Sequence, residues 1–286
     1  MNPLARFTFR MLGKYSRVAP AQAGGYRLAR AARRTLPRGQ WRDRFETPDG
    51  LKLDLDLGTY PDCCMAVGLY ELDTHRLLRS ILKPGSWFVD CGANIGYFTM
   101  LASRWVGDSG KIDAFEPDVL NRKRLAEHLR ENGISNVTVR DVALSDSRGE
   151  IEFFHPTGGK TNHGMATFYR SLTPVSEHYT VQTARLDESI AGIPDVVKLD
   201  VEGAELKAID GMSKILRSDR PPRLIVEHNH ETAAAAGHLP SAIFEKLISI
   251  QPQYRISYVG RELRPIHSAE ELNQIHKQGN LLVEVG

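Results

Sequence analysis

From about residue 86 onward, short apolar runs alternate with longer stretches of helical spacing. That alternation marks a parallel sheet with helices on both faces. Strands are predicted at about 86–91, 111–115, 137–142, 196–199 and 224–227. Helices are predicted at about 95–106, 118–132, 203–217 and 240–250. Leu120, Leu125 and Leu129 give the second helix an apolar face, and Leu206, Ile209, Met212 and Leu216 give the third one. A further strand is expected at 151–154, and 255–259 and 281–285 read as two closing strands. Residues 155–178 are rich in Gly, Thr, Asn and His and show little period, so they read as a long loop. Before the alternation begins, Phe45, Leu51, Leu53 and Leu55 flank Pro48-Asp49-Gly50, which predicts a hairpin over 44–56. A helix over 72–82 is stopped by Pro84-Gly85. The expected organisation is an arm at 1–42, a hairpin and helix subdomain at 43–85, and an α/β domain at 86–286.

Charge separates the arm from the body. The formal net charge is only +2, yet residues 1–42 hold ten Lys or Arg and no acid. The rest holds 27 basic and 35 acidic residues. A basic, acid-free arm with Phe7, Phe9, Met11 and Leu12 suits peripheral contact with an anionic membrane. The body has no stripe of basic and aromatic residues, so nucleic acid is not the expected partner. Cys63, Cys64 and Cys91 form neither a disulfide framework nor an iron–sulfur spacing, which points to a reducing, cytoplasmic setting. No run of apolar residues is long enough to cross a membrane. The inner face of a membrane is the alternative place for the chain.

The chemistry concentrates in Phe88-Val89-Asp90-Cys91-Gly92-Ala93-Asn94-Ile95-Gly96-Tyr97-Phe98. It reads as a strand, a glycine turn and a helix start, the element that holds nucleotide-like cofactors. A dinucleotide loop would need Gly-x-Gly-x-x-Gly. Here the glycines are spaced Gly-x-x-x-Gly, and Asp90 precedes them. An acid there repels phosphate and attracts a cation, which favours S-adenosylmethionine over a nicotinamide dinucleotide. Glu116 ends the second strand at the distance where an acid meets a ribose diol. Asp141 and Val142 end the third strand, and Asp200 ends the fourth. Singly, each acid reads as a helix cap or an exposed carboxylate. Together, at successive strand ends, they read as one site.

These same residues resemble the FkbM-type family of S-adenosylmethionine-dependent methyltransferases. The likeness is carried by Phe88 to Thr99, Ala114-Phe115-Glu116-Pro117, Ala143-Leu144-Ser145-Asp146, Val197 to Glu205 and Gly68-Leu69-Tyr70-Glu71. It implies a class I methyltransferase fold: a Rossmann-like, mostly parallel seven-stranded sheet with an antiparallel last strand. It also implies O-methylation of a hydroxyl on a carbohydrate, glycolipid or small natural-product acceptor. By position, Asp90, Gly92, Asn94, Gly96, Tyr97 and Glu116 would hold the cofactor. Asp141, Val142 and Asp200 would line it, and Tyr70 and Glu71 would lie near its methionine end.

A hydroxyl acceptor loses a proton during transfer, so a base is sought near Asp200. Glu202, His163 and His228 are the candidates. Glu202 also reads as a cap for the following helix, and His163 as a substrate-binding residue in the loop. His228 and His230 are expected to face opposite ways, and no metal site is assigned. An amide-nitrogen methyltransferase commonly carries Asn/Asp-Pro-Pro-aromatic after the fourth strand, where this chain has Asp200-Val201-Glu202-Gly203. Methylation of protein or nucleic acid, or a non-catalytic cofactor-binding module, are the rival readings.

Overall fold

The structure is a computed structural model and describes residues 3–18, 42–156 and 175–286. Helix α1 is Pro3–Val18. Strands β1 (Arg42–Glu46) and β2 (Lys52–Asp56) form the predicted antiparallel hairpin around Pro48-Asp49-Gly50. Helices α2 (Tyr60–Ala66) and α3 (Leu72–Ile81) follow. Then come β3 (Trp87–Cys91), α4 (Tyr97–Val106), β4 (Lys111–Phe115), α5 (Val119–Glu131) and β5 (Val137–Arg140). Strands β6 (Ala143–Leu144), β7 (Gly149–Pro156) and β8 (Val175–Ala184) precede α6 (Leu186–Ser189) and β9 (Val196–Leu199). Next are α7 (Glu205–Gly211), α8 (Ser213–Leu216), β10 (Arg223–His228), α9 (His230–Ala235) and α10 (Ser241–Ile250). The chain finishes with β11 (Tyr254–Val259), β12 (Leu263–Ile266), α11 (Ala269–Asn273) and β13 (Gly279–Val285).

The main sheet has the order β12-β11-β13-β10-β9-β3-β4-β5. Strands β5, β4, β3, β9 and β10 are mutually parallel. Strand β13 is antiparallel to both of its neighbours, β10 and β11. This is the expected sheet with one addition, the short edge strand β12.

Successive residues of a strand face opposite sides of the sheet, and β3 shows the consequence. Phe88 is buried in the cluster formed with the N-terminal hairpin, α3 and α4. Val89 and Cys91 are buried in the cluster on the other face, with α7, α8 and α10. The hairpin leucines Leu51, Leu53 and Leu55 belong to the first cluster, so the N-terminal elements share the core of the α/β body. His128 of α5 fastens them together. Its Nε2 accepts the Asp54 N–H at 2.9 Å, so the Nδ1–H is left to donate to Ile95 O at 2.9 Å. Helix α1 buries Phe9 in the same cluster and exposes Phe7 and Met11. The rest of the basic arm, residues 19–41, lies outside the described residues, as do 157–174, which contain His163.

Two expectations change. The expected loop 155–178 is strand at both of its described ends, because β7 and β8 pair as a hairpin joined to β6. Among the described residues the core cluster of this small sheet is three side chains, Ala143, Phe153 and Val181, so its apolar signal is weak. The helix expected at 203–217 is interrupted at Met212, which closes α7 and opens α8. The three cysteines are buried thiols. Among the described residues no helix is long and apolar enough to cross a membrane.

Candidate active site

Strand ends of a parallel sheet collect unpaired backbone groups and leave a crevice where neighbouring connections diverge. Here a cavity of about 550 Å³ opens at the ends of β3, β4, β9 and β10. That volume falls within the roughly 300–1,000 Å³ of small-molecule sites.

The turn after β3 forms one wall. Gly92 and Ala93 both donate to Phe115 O at 2.9 Å, which presses the turn against β4. Gly92 has φ +84°, and a Cβ there would lie 1.8 Å from Asp200 O. Only glycine fits between the two strand ends. Gly96 has φ +90° but does not line the cavity; a Cβ there would meet Leu125 Cδ1 at 2.3 Å. It serves packing between the turn and α5.

Glu116 Oε2 accepts the Asn94 N–H at 2.7 Å, and Oε1 accepts the Asp118 N–H at 2.8 Å. A carboxylate has about four acceptor positions, so the Glu116 group retains capacity for ribose hydroxyls. Burial pushes its pKa up to about 7, against the pull of these N–H donors. Asp90 is fully buried at the cavity wall. Its Oδ2 accepts from Thr99 Oγ1 at 2.6 Å, while its Oδ1 has no partner. Burial raises its pKa, and Lys198 opposes that rise. Val142 lines the cavity beside Glu116. Asp141 does not: one position past the end of β5 it is exposed to solvent, so the expected acceptor at the adenine edge is not there.

Lys198 is a buried cation of the site. It is buried within β9, donates to Asp200 Oδ2 at 2.6 Å and lies 5.1 Å from the Phe98 ring centroid. Burial lowers its pKa, but Asp200, Glu71 and Asp90 outweigh that effect and keep the ammonium charged. Glu71 accepts from Asn280 Nδ2 at 2.9 Å, and burial raises its pKa. Tyr70 packs edge-on to Tyr97, with ring centroids 5.6 Å apart. Both rings line the cavity.

Glu202 also lines the cavity, and burial first, then Asp200, pushes its pKa up to about 8. It does not cap α7. The turn's N–H groups go to Glu205 Oε1, which accepts Val201 N–H at 3.2 Å and Gly203 N–H at 3.1 Å. His228 is absent from the cavity, although Glu227 and Asn229 on either side line it. Its Nε2 meets Ile275 O at 2.7 Å on the opposite face of β10, which removes it from the candidate bases. His230 Nε2 reaches the same carbonyl at 3.0 Å. The two histidines therefore share a side and do not face opposite ways as expected. No group of three metal-ligating side chains occurs among the described residues.

Glu227 and Asn280 are not among the expected cofactor-binding or catalytic residues. They are direct register partners on β10 and β13, both line the cavity, and each leaves one buried oxygen without a partner. A second overlooked signal is conformational. The non-glycine residues with φ between +20° and +160° are Glu71, Asn94 and Glu202 among the described residues, and all three line this cavity. Such backbone is costly and persists where surrounding structure enforces it, commonly at binding sites.

The strand order and the crevice at the ends of the parallel strands are those of the class I methyltransferase fold. Residues 90–255 match the model of the methyltransferase FkbM domain, more than half of the chain. The chain belongs to the FkbM methyltransferase family. S-adenosylmethionine, expected from the glycine turn, is the cofactor that this membership supports. The hexuronic acid methyltransferase AglP of Haloferax volcanii is 30% identical over 153 residues, covering 52% of this chain. The chain matches only 59% of that relative's length. An FkbM methyltransferase structure from Methylobacillus flagellatus aligns with 97% of this chain and 58% of its own, at 15% identity and a TM-score of 0.47. TYW2 of M. jannaschii, solved with AdoMet, aligns over 87% of each chain at 13% identity and a TM-score of 0.49.

Proposed function

We propose that this protein transfers a methyl group from S-adenosylmethionine to a hydroxyl of a carbohydrate, glycolipid or small natural-product acceptor. The observation that carries the reading is the cavity itself, which runs from the glycine turn of β3 past Asp200 to Glu202 and Glu227. Its described lining has eight carboxyl side chains and two lysines, a charge balance suited to a cationic cofactor. The cofactor supplies an electrophilic methyl group on a sulfonium. Glu116 is placed to accept ribose hydroxyls, and Asp90 and Asp200 to accept from an ammonium. The aromatic wall of Tyr70, Tyr97 and Phe98 excludes water and offers its faces to a cation. The FkbM family and the sugar-acid specificity in the name of the AglP relative favour a sugar-like acceptor.

The test is direct. Calorimetry should detect S-adenosylmethionine binding, and methyl-labelled cofactor should pass label to glycan or glycolipid fractions of a cell extract. Label found only in protein or nucleic acid would overturn the acceptor class.

A further inference from the structure

Among the described residues, three buried cavity-lining oxygens lack a hydrogen-bond partner: Asp90 Oδ1, Glu227 Oε2 and Asn280 Oδ1. Asn280 Oδ1 is an acceptor, and Asp90 Oδ1 and Glu227 Oε2 are acceptors in the ionised form. Leaving a buried acceptor unsatisfied costs about 1–3 kcal/mol, so such atoms call for ligand groups that donate. Asp90 lies at the glycine turn. Glu227 and Asn280 lie on the far side of Asp200, where β9 and β10 end. Val226 is paired with Leu199, so Glu227 and Asp200 are the next residues along two adjacent strands.

The pair is held from behind. Glu227 Oε1 accepts Gln278 Nε2 at 2.8 Å and Asn229 Nδ2 at 3.4 Å, which leaves Oε2 turned away from both. Asn280 Nδ2 donates to Glu71 Oε2 at 2.9 Å and Thr74 Oγ1 at 2.8 Å, which fixes its Oδ1 as the other amide atom. Directly opposed residues of antiparallel strands place their side chains on one face, within about 5.5 Å at Cβ. Two oriented acceptors at that spacing match a hydroxyl group and its neighbour on a polyol. They match a carboxylate poorly, because it brings no donor and adds a like charge.

Resting on the hydroxyl-transfer reading, we propose that Glu227 and Asn280 together grip the acceptor hydroxyl, that Glu227 takes its proton, and that the product is a methyl ether and not a methyl ester. The acceptor's O–H bond breaks, its oxygen bonds to the methyl carbon, and the methyl–sulfur bond breaks with its electron pair left on sulfur. The proton passes to Glu227 Oε2 and is returned to solvent once the product has left. Burial first, then the charges of Asp200, Glu202 and Glu205, raise the pKa of Glu227, while its hydrogen bond with Gln278 lowers it.

Methyl β-D-glucuronide carries hydroxyls and a carboxylate in one molecule, so it serves as the probe with methyl-labelled cofactor. The full chain should give an alkali-stable product. Glu227→Gln should lower turnover about 100-fold or more, with cofactor affinity by calorimetry within about twofold. The rate should rise with pH in the parent, lose that limb in Glu227→Gln, and shift it to higher pH in Gln278→Leu. An alkali-labile ester, undiminished turnover in Glu227→Gln, or a matching loss of cofactor affinity would overturn the assignment. A parent protein that binds cofactor but labels neither group would instead sink the hydroxyl-transfer reading. If Glu227→Gln does not fold, an unmoved limb in Gln278→Leu overturns the assignment alone.

Discussion

Glu116 Oε2 and the Asn94 N–H lie 2.7 Å apart, so one carboxylate ties the end of β4 to the turn after β3. The same carboxylate is the candidate partner for a ribose diol, and its pKa is raised to about 7, chiefly by burial. Hydroxyls donate to the ionised form. Cofactor affinity should therefore strengthen as pH rises between about 6 and 8. Stability should move the other way: between the ordinary glutamate pKa and about 7 the folded state holds the extra proton, so rising pH destabilises it. Calorimetry at several pH values, repeated with Glu116→Gln, checks both. The variant should bind at least about tenfold more weakly and show a flatter profile.

Gly92 and Gly96 share a left-handed backbone but should not respond alike. A Cβ at Gly92 meets the backbone carbonyl of Asp200, which cannot move without parting β3 from β9. A Cβ at Gly96 meets the tip of the Leu125 side chain, which can rotate. Gly92→Ala should abolish cofactor binding and destabilise by more than about 2 kcal/mol, with Gly96→Ala the milder of the two. Denaturant titration beside a binding assay distinguishes them.

Lys198 offsets Asp200, Glu71 and Asp90 inside the protein. Lys198→Met keeps the volume and removes the charge. It should cost about 3–5 kcal/mol, because it strands the buried carboxylates. Urea unfolding at two pH values measures this, and the loss should shrink in acid, where the carboxyls can protonate.

His128 spans the hairpin, α5 and the glycine turn through both ring nitrogens. Burial lowers its pKa, so the folded protein holds it neutral. Its stabilising effect should be complete above the unfolded pKa of about 6.5 and decline as pH falls below it. His128→Leu should cost about 1–3 kcal/mol at neutral pH, because it orphans the Asp54 N–H and the Ile95 carbonyl. Thermal melts across pH 5 to 8, or thereabouts, would detect the change in slope.

Strands β3, β4 and β9 were legible because each is a mostly buried run closed by Gly, Glu or Asp, as in Trp87–Cys91 and Val196–Leu199. The glycine turn and Glu116 were legible because their spacing along the chain mirrors their separation in space. Strand β8 was hidden, since it lies mostly on a solvated sheet whose core is three side chains. Asp141 misled because a strand end predicts a position and not the side a residue faces. Glu227 and Asn280 gave no sequence signal as a pair. They are 53 positions apart and meet only because β13 enters between β10 and β11.

That insertion also orders events in time. The ribosome delivers β3, β4, β5, β9 and β10 first, and these can associate as a parallel sheet with one side of β10 bare. Gly279 and Asn280, which complete the cavity wall, arrive with β13. A nascent chain that lacks β13 would hold the glycine turn and Glu116 but neither the Asn280 amide nor a covered β10 edge. Full assembly of the pocket is therefore a late event in the maturation of this enzyme, and the unpaired edge of β10 is the surface a chaperone would have to shield until then.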